Sequence, residues 1–270
     1  MYTKQLIQDT DYPRTRETLK EDLYSLGIKE GMTVIVHASL KSIGWVNGGA
    51  QTVIHALMDA VTEEGTLILQ AHSAHLTDPE EWENPPIPDS WWETVRKTMP
   101  PFDPKTTPTY KIGQIPELFR TFPDVFRSNH PVMSVASWGK NAKAITQDHL
   151  LDYGFGDGSP LAKAYDLDAS VLFIGTGFDT HTSLHLAETQ SGVRKQVKKG
   201  APILIKGQHV WKTYDEIEYD DEDFEAIGTA YKKVAEIKKG KIGSAHSMLF
   251  NQKDSVDFAS DWLKENRNKD

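Results

Sequence analysis

Residues 33–71 limit what this chain can fold into more than any other stretch. "TVIVHASL" (Thr33–Leu40) is a continuous apolar run with β-branched residues, the pattern of a buried strand. "GGAQTVIHALMDAVTEEG" then places Val53, Ile54, Leu57, Met58 and Val61 on one helical stripe, ended by Gly65. "TLILQA" (Thr66–Ala71) is a second apolar run. Strand, helix and strand in such close succession make a βαβ unit, with a parallel pair and a right-handed crossover.

The remaining chain keeps alternating. "PRTRETLKEDLYSLGI" (Pro13–Ile28) reads as a helix with Leu19, Leu23 and Leu26 on one face and Gly27 as its stop. "IPELFRTF" reads as a helix, and "VMSVASWG" (Val132–Gly139) and "SVLFIG" as strands. In "SPLAKAYDL", Ser159 is the N-cap and Pro160 the first helical residue. "APILIKGQHVWKTYDE" reads as a hairpin turning at Lys206–Gly207. "DDEDFEAIGTAYKKVAEIKK" puts acids first and lysines last, as a helix dipole favours. "KIGSAHSMLF" reads as a strand and "DSVDFASDWLKEN" as a closing helix. The expectation is one α/β domain over residues 1–270, its mixed, partly parallel sheet flanked by helices.

Residues 79–108 break the alternation. Eight of the 14 prolines and three of the 7 tryptophans fall there, so the segment is no regular core element throughout, though "SWWETVRKTM" fits a short helix. Two readings stand: a surface insertion, or a loop covering a binding cleft.

The formal net charge of −9 argues against nucleic acid or an anionic membrane as partner and suits a cationic small molecule. The chain has no cysteine, which removes disulfides, a thiol nucleophile and thiolate metal sites. No run of 18 apolar residues and no signal-type apolar core is present, so a cytoplasmic location is expected.

Two strand-to-helix joints carry the chemistry. At the first, His37, Ala38 and Ser39 sit where the strand ends, followed by Leu40, Lys41, Ser42, Gly44, Asn47, Gly48 and Gly49. Ligands of open α/β sheets collect at such strand ends, and glycines let them approach the backbone. The Gly-Lys-Ser/Thr element of a P-loop is missing, which disfavours a nucleoside triphosphate and leaves a phosphate-bearing cofactor open. By itself the loop reads first as a plain connection with turn glycines. At the second joint, "FIGTGFDTHTSLHLAET" (Phe173–Thr189), a dinucleotide fingerprint fails at Thr180, where helix packing wants a small residue. On the helix, His185 and Glu188 are i and i+3 and share a face. A carboxylate beside an imidazole favours its charged form and fixes its tautomer, as a general base requires. Asp179, just before the helix, is an alternative partner, and a surface His–Glu pair is the plain alternative. "RSNHPVMS" offers Arg127 and His130 either as ligand contacts or as a turn. "AHSAHLTD" offers His72, His75 and Asp78 as a metal trio for a hydrolase, although a strand end holds i,i+3 ligands less well than a helix.

"VHASLKSIGWVNGGA", "ELFRTFPDVFRSNHPVMSVASWGK", "GDGSPLAKAY" and "DTHTSLHLAE", in this order, resemble the aminoglycoside 3-N-acetyltransferase family over roughly residues 13–262. The resemblance implies acetyl-coenzyme A as co-substrate, a small-molecule amine as acceptor and no metal. It matches His185 to the family's histidine, Glu188 to its glutamate and Asp179 to the preceding acid. It matches His37 to Gly44 to the loop that contacts coenzyme A, and Ser159 to the Ser-Pro helix start near the cleft. Two features depart from the pattern. Ala38–Ser39 stands where Ser-Ser is usual, and the long insertion stands where a compact acidic, aromatic segment is usual. The acceptor is therefore open: an aminoglycoside or another cationic amine. His185 is expected to take the amine's proton in a direct transfer, with backbone N–H groups near Ser39 or at a helix start stabilising the oxyanion. A serine relay lacks a nucleophile elbow. A non-catalytic protein that binds a cationic ligand is the remaining class, and the exposed tryptophans leave room for a homodimer.

Overall fold

The computed structural model describes residues 4–267. Its helices are α1 (Lys4–Gln8), α2 (Arg16–Leu26), α3 (Leu40–Ile43), α4 (Ala50–Val61), α5 (Trp92–Thr98), α6 (Gln114–Phe119), α7 (Ala142–Thr146), α8 (Pro160–Asp166), α9 (Ser183–Ser191), α10 (Phe224–Tyr231) and α11 (Gln252–Arg267). Its strands are β1 (Thr33–Ala38), β2 (Thr66–Gln70), β3 (Phe126–Arg127), β4 (Val135–Gly139), β5 (Ser170–Ile174), β6 (Gln196–Ile205), β7 (Gln208–Ile217), β8 (Lys238–Ile242) and β9 (Ala245–Asn251). A seven-stranded sheet runs β3-β4-β2-β1-β5-β9-β8, and β6 and β7 form a separate hairpin. The parallel strands β2, β1 and β5 are its centre, and antiparallel strands complete both sides. The expected mixed α/β architecture is what the chain adopts.

Each sheet face buries its own core. Val34, Val36, Leu67 and Leu69 meet Leu19, Leu23, Ile54 and Leu57 of α2 and α4. Ile35, Ile68, Val171 and Phe173 meet Leu184 and Leu186 of α9, Phe224 of α10 and Val256 of α11. This alternation along β1 and β2 puts odd and even side chains on opposite helical layers. The chain leaves β1 for β2 on one side, and β5 returns to the other, so the switch point lies between β1 and β5. Among the described residues no helix is long and apolar enough to cross a membrane.

The caps behave as the sequence implies. Thr15 and Thr18 make a capping box on α2, Gly27 ends it in the left-handed region at φ 112, and Ser159 Oγ accepts from Ala162 N to open α8. Two elements differ from expectation. The acid-to-lysine helix stops at Tyr231, and "KIGSAHSMLF" is the end of one strand, a turn and a second strand. The reason is tertiary: β9 pairs with β5 on one side and takes β8 on the other, so Lys238–Ile242 is drawn out of the helix. β8 is then the sheet edge, and its exposed lysines keep that edge from pairing further.

The 79–108 insertion does contain the short helix, α5. It is tied down rather than loose. Arg96 binds Asp78 at 2.6 Å, Phe102 N donates to Pro202 O, and Lys199 binds Glu81 at 2.9 Å, docking the insertion on the β6–β7 hairpin. Trp91 stays 57% exposed.

Candidate active site

The helix α9 begins after a short 3-10 turn at Phe178–Thr180, with Thr182 at the N-cap position and Gly192 as its left-handed stop. That setting brings His185 over the carboxyl end of the sheet. His185 Nδ1 donates to Glu188 Oε2 at 2.6 Å. With Nδ1 committed, Nε2 is the nitrogen left to receive a proton. The His185 side chain is 17% exposed and that of Glu188 is 0% exposed. Glu188 Oε1 is held in turn by Arg267 Nη1 at 2.8 Å, Arg194 Nε at 3.2 Å and the backbone N–H of Asp220 at 3.2 Å. A buried carboxylate is tolerable only with such partners. Three aromatic rings frame the imidazole: Phe155 stacks on it at 5.1 Å, Tyr219 meets it edge-on at 5.0 Å, and Phe224 lies at 4.9 Å. The hydroxyl of Tyr219 accepts from Phe155 N at 3.2 Å, which locks two of the three rings to each other.

Asp179 is exposed and makes no hydrogen bond to His185; among the described residues the carboxylate that binds this imidazole is Glu188. Asp179 instead lines a cavity of about 630 Å³ with Ser42, Gly175, Thr176, Gly177, Glu225, Ser244, Ala245 and His246. The cavity sits at the switch point, where the two joints meet. Gly175 has φ +66, and a Cβ there would lie 2.3 Å from Ser42 Cβ, so only glycine lets the loops close together. Ser42 Oγ completes the contact by donating to Gly175 O at 3.3 Å. An adjoining cavity shares Thr176 and His246 and adds Lys239 and Lys241.

Other residues of the first joint are less open than their positions implied. Residues 40–43 form a single helical turn, α3, with Leu40 partly buried, Lys41 exposed and Gly44 closing it at φ 97. His37 is buried between Phe173 and His181, and Ala38 is only partly exposed. Ser39 N donates to Ile174 O at 2.9 Å, so this one of the N–H groups in the expected oxyanion region is taken. Ser159 is fully buried, and its hydroxyl is the α8 cap.

The remaining candidates are structural in their contacts. Arg127 reaches Thr107 O, Ala71 O and Ser73 Oγ, tying the insertion to the sheet, and burial lowers its pKa to about 10. His130 Nδ1 accepts from Val132 N and Met133 N, so it shapes a turn. Asp78 is held by Arg96, and His75 packs on Tyr110. No group of three His, Cys, Asp or Glu side chains among the described residues is placed to hold a metal ion.

Burial holds His37 and His149 near pKa 4. Their folded pKa lies below the unfolded value, so the unfolded chain takes protons first as pH falls. Folding stability is thus complete above about pH 6.5 and is lost progressively toward pH 4, by about 1.4 kcal/mol per pH unit for each histidine in that window. Urea melts at pH 7, 6 and 5 should show the midpoint falling at each step; a midpoint constant from pH 7 to 5 would contradict this.

Among the residues around the candidate site, sequence reading missed Arg194, Arg267, Phe155, Tyr219 and the lysines of β8. Arg267 lies 79 residues from Glu188, and no local spacing signals such a pairing.

Comparison with known proteins gives the family. Residues 35–264 match the family model described as aminoglycoside 3-N-acetyltransferase. The SPbeta prophage-derived aminoglycoside N(3')-acetyltransferase-like protein YokD of Bacillus subtilis is 47% identical, over 98% of each chain. Its crystal structure superposes with a TM-score of 0.97, covering 99% of this chain and 100% of that one. Aminoglycoside N(3)-acetyltransferase III of Pseudomonas aeruginosa is 35% identical over 96% of each chain. The structure of AAC-IIIb binary with CoASH is 31% identical, with a TM-score of 0.85 over 96% of this chain and 99% of that one. The chain belongs to the aminoglycoside 3-N-acetyltransferase family and is an acyltransferase.

Proposed function

We propose that the chain transfers an acetyl group from acetyl-coenzyme A directly to an amine of an aminoglycoside-like or other cationic small molecule, with His185 as general base. The observation that carries this is the 2.6 Å bond from His185 Nδ1 to the buried Glu188, which leaves Nε2 as the nitrogen to take a proton on a fixed, partly exposed ring. An amine at neutral pH is mostly ammonium and has no lone pair for attack. His185 Nε2 takes that proton, and Glu188 stabilises the imidazolium that results. Glu188 is the orienting acid, and Asp179 belongs to the cofactor side. Acetyl-coenzyme A supplies the acetyl group as a thioester. Its site is the cavity between Ser42, Gly175 and Ser244, and Lys239 and Lys241 next to it supply the positive charge that phosphates need. A relative solved with CoASH supports coenzyme A as the carrier of the acetyl group.

The test is free-thiol release from acetyl-coenzyme A across a panel of amines, with mass spectrometry of the products. The expected result is thiol release that depends on the amine, with a product one acetyl group heavier. The double variant Lys239→Ala/Lys241→Ala should raise KM for acetyl-coenzyme A by about 10-fold, with little change in KM for the amine, as loss of charge-assisted phosphate contacts would do. Thiol release equal with and without every amine would contradict the transfer.

A further inference from the structure

A group of polar atoms beneath the site is used neither by the proposed chemistry nor by the protein's own hydrogen bonds. Gln70, the last residue of β2, is 7% exposed, and neither the oxygen nor the nitrogen of its amide has a partner. His72 follows two residues on, partly buried, with Nε2 covered and unpartnered. His37 Nε2 and His181 Nδ1 are buried in the same condition. Sheet register gathers these groups. Ile35 of β1 stands beside Ile68 of β2, and both face the core that α9 covers. Two residues further, His37 and Gln70 continue on that same face. The ring of His72 packs on Phe155 at 5.3 Å, and Phe155 stacks on His185 at 5.1 Å. One aromatic ring therefore separates this polar floor from the proposed base.

Leaving a buried donor or acceptor unpaired costs about 1–3 kcal/mol, and folded proteins keep few of them. Several together, at the strand ends beside a catalytic cleft, mark a place where something else supplies the partners. The chemistry of that partner follows from the floor itself. Burial keeps His72 near pKa 3 and His37 near 4, so both imidazoles are neutral at physiological pH, and Gln70 carries no charge. Neutral groups of this kind cannot offset an ammonium or a carboxylate. They do suit a hydroxyl, which donates and accepts at once, as the two ends of an amide do.

We propose that Gln70 and His72 are specificity-determining residues that hold a hydroxyl of the acceptor. This rests on the acetyl-transfer reading of His185. The motif that at first resembled a metal trio thereby has a use: His72 reads the acceptor.

Kanamycin B, tobramycin and dibekacin form a suitable series, each successive member lacking a further hydroxyl. For the native protein, kcat/KM by thiol release should fall by on the order of 10-fold or more from kanamycin B to dibekacin, the loss of a buried hydrogen bond. Gln70→Met removes the amide at nearly constant shape, and His72→Leu removes the imidazole. Either variant should bring the kanamycin B to dibekacin ratio to within about 2-fold, with KM for acetyl-coenzyme A retained as the sign of an intact fold. A native ratio near unity, or a ratio that survives in both variants, would overturn the assignment. Thiol release from no amine at all would remove the acetyl-transfer reading itself, and this inference with it.

Discussion

His185→Ala is expected to lower amine-dependent thiol release by about 100-fold or more, the scale of a general-base contribution. The substitution is a clean one. Glu188 keeps Arg267, Arg194 and the Asp220 N–H when the imidazole is gone, so no buried charge is orphaned. His185 is itself partly exposed, and the thermal midpoint should move little. KM for acetyl-coenzyme A should also hold, because the cavity at Ser42 and Gly175 does not include this residue. Without the base, only amine already deprotonated in solution can attack. The residual rate of the variant should therefore climb with pH into the alkaline range. Near-native turnover in a folded variant would remove His185 from the chemistry, and the geometry of Glu188 would then describe only a structural pair.

Why His185 was legible and its supports were not is a matter of range. The strand β5, the glycine-bearing loop and the start of α9 are written in adjacent residues, and i,i+3 spacing places His185 beside Glu188 without knowledge of the fold. The parallel centre of the sheet was legible for the same reason: β1, α4 and β2 are consecutive, and each carries its own period. The arginines that hold Glu188 come from the loop before β6 and from the last described turn of α11, and nothing local announces them. The cofactor side shows the same limit. Ser42 and Gly175 meet only because β1 and β5 are neighbours, and the β8–β9 turn reaches them only because an apparent helix gives way to an edge strand. Helical pattern favoured one outcome for Lys232–Lys239, and pairing to β9 decided the other for its end.

Glu188→Ala should have the larger effect on stability. It leaves Arg194 and Arg267, which are 16% and 10% exposed, without the buried one of the two acids they share. Removing one partner of a buried ion pair typically costs about 3–5 kcal/mol. The lower part of that range applies here, because Asp220 still faces both arginines and Asp223 still binds Arg267 at 2.5 Å. For a chain of this size the thermal midpoint should fall by roughly 5–7 °C. Glu188→Gln separates the two duties of the residue. An amide oxygen can still accept from His185 Nδ1, so the ring keeps its tautomer, but the negative charge that favours the imidazolium is gone. Its rate loss should be smaller than that of His185→Ala if Glu188 only orients the base. A loss as large as the histidine's, in a protein that still melts near the native temperature, would mean that the charge itself takes part in the proton transfer. The arginines make the same point from the other side. Arg267 belongs to the closing helix, so the packing of α11 along α9 joins Arg194 and the Asp220 N–H in fixing the carboxylate behind the proposed base.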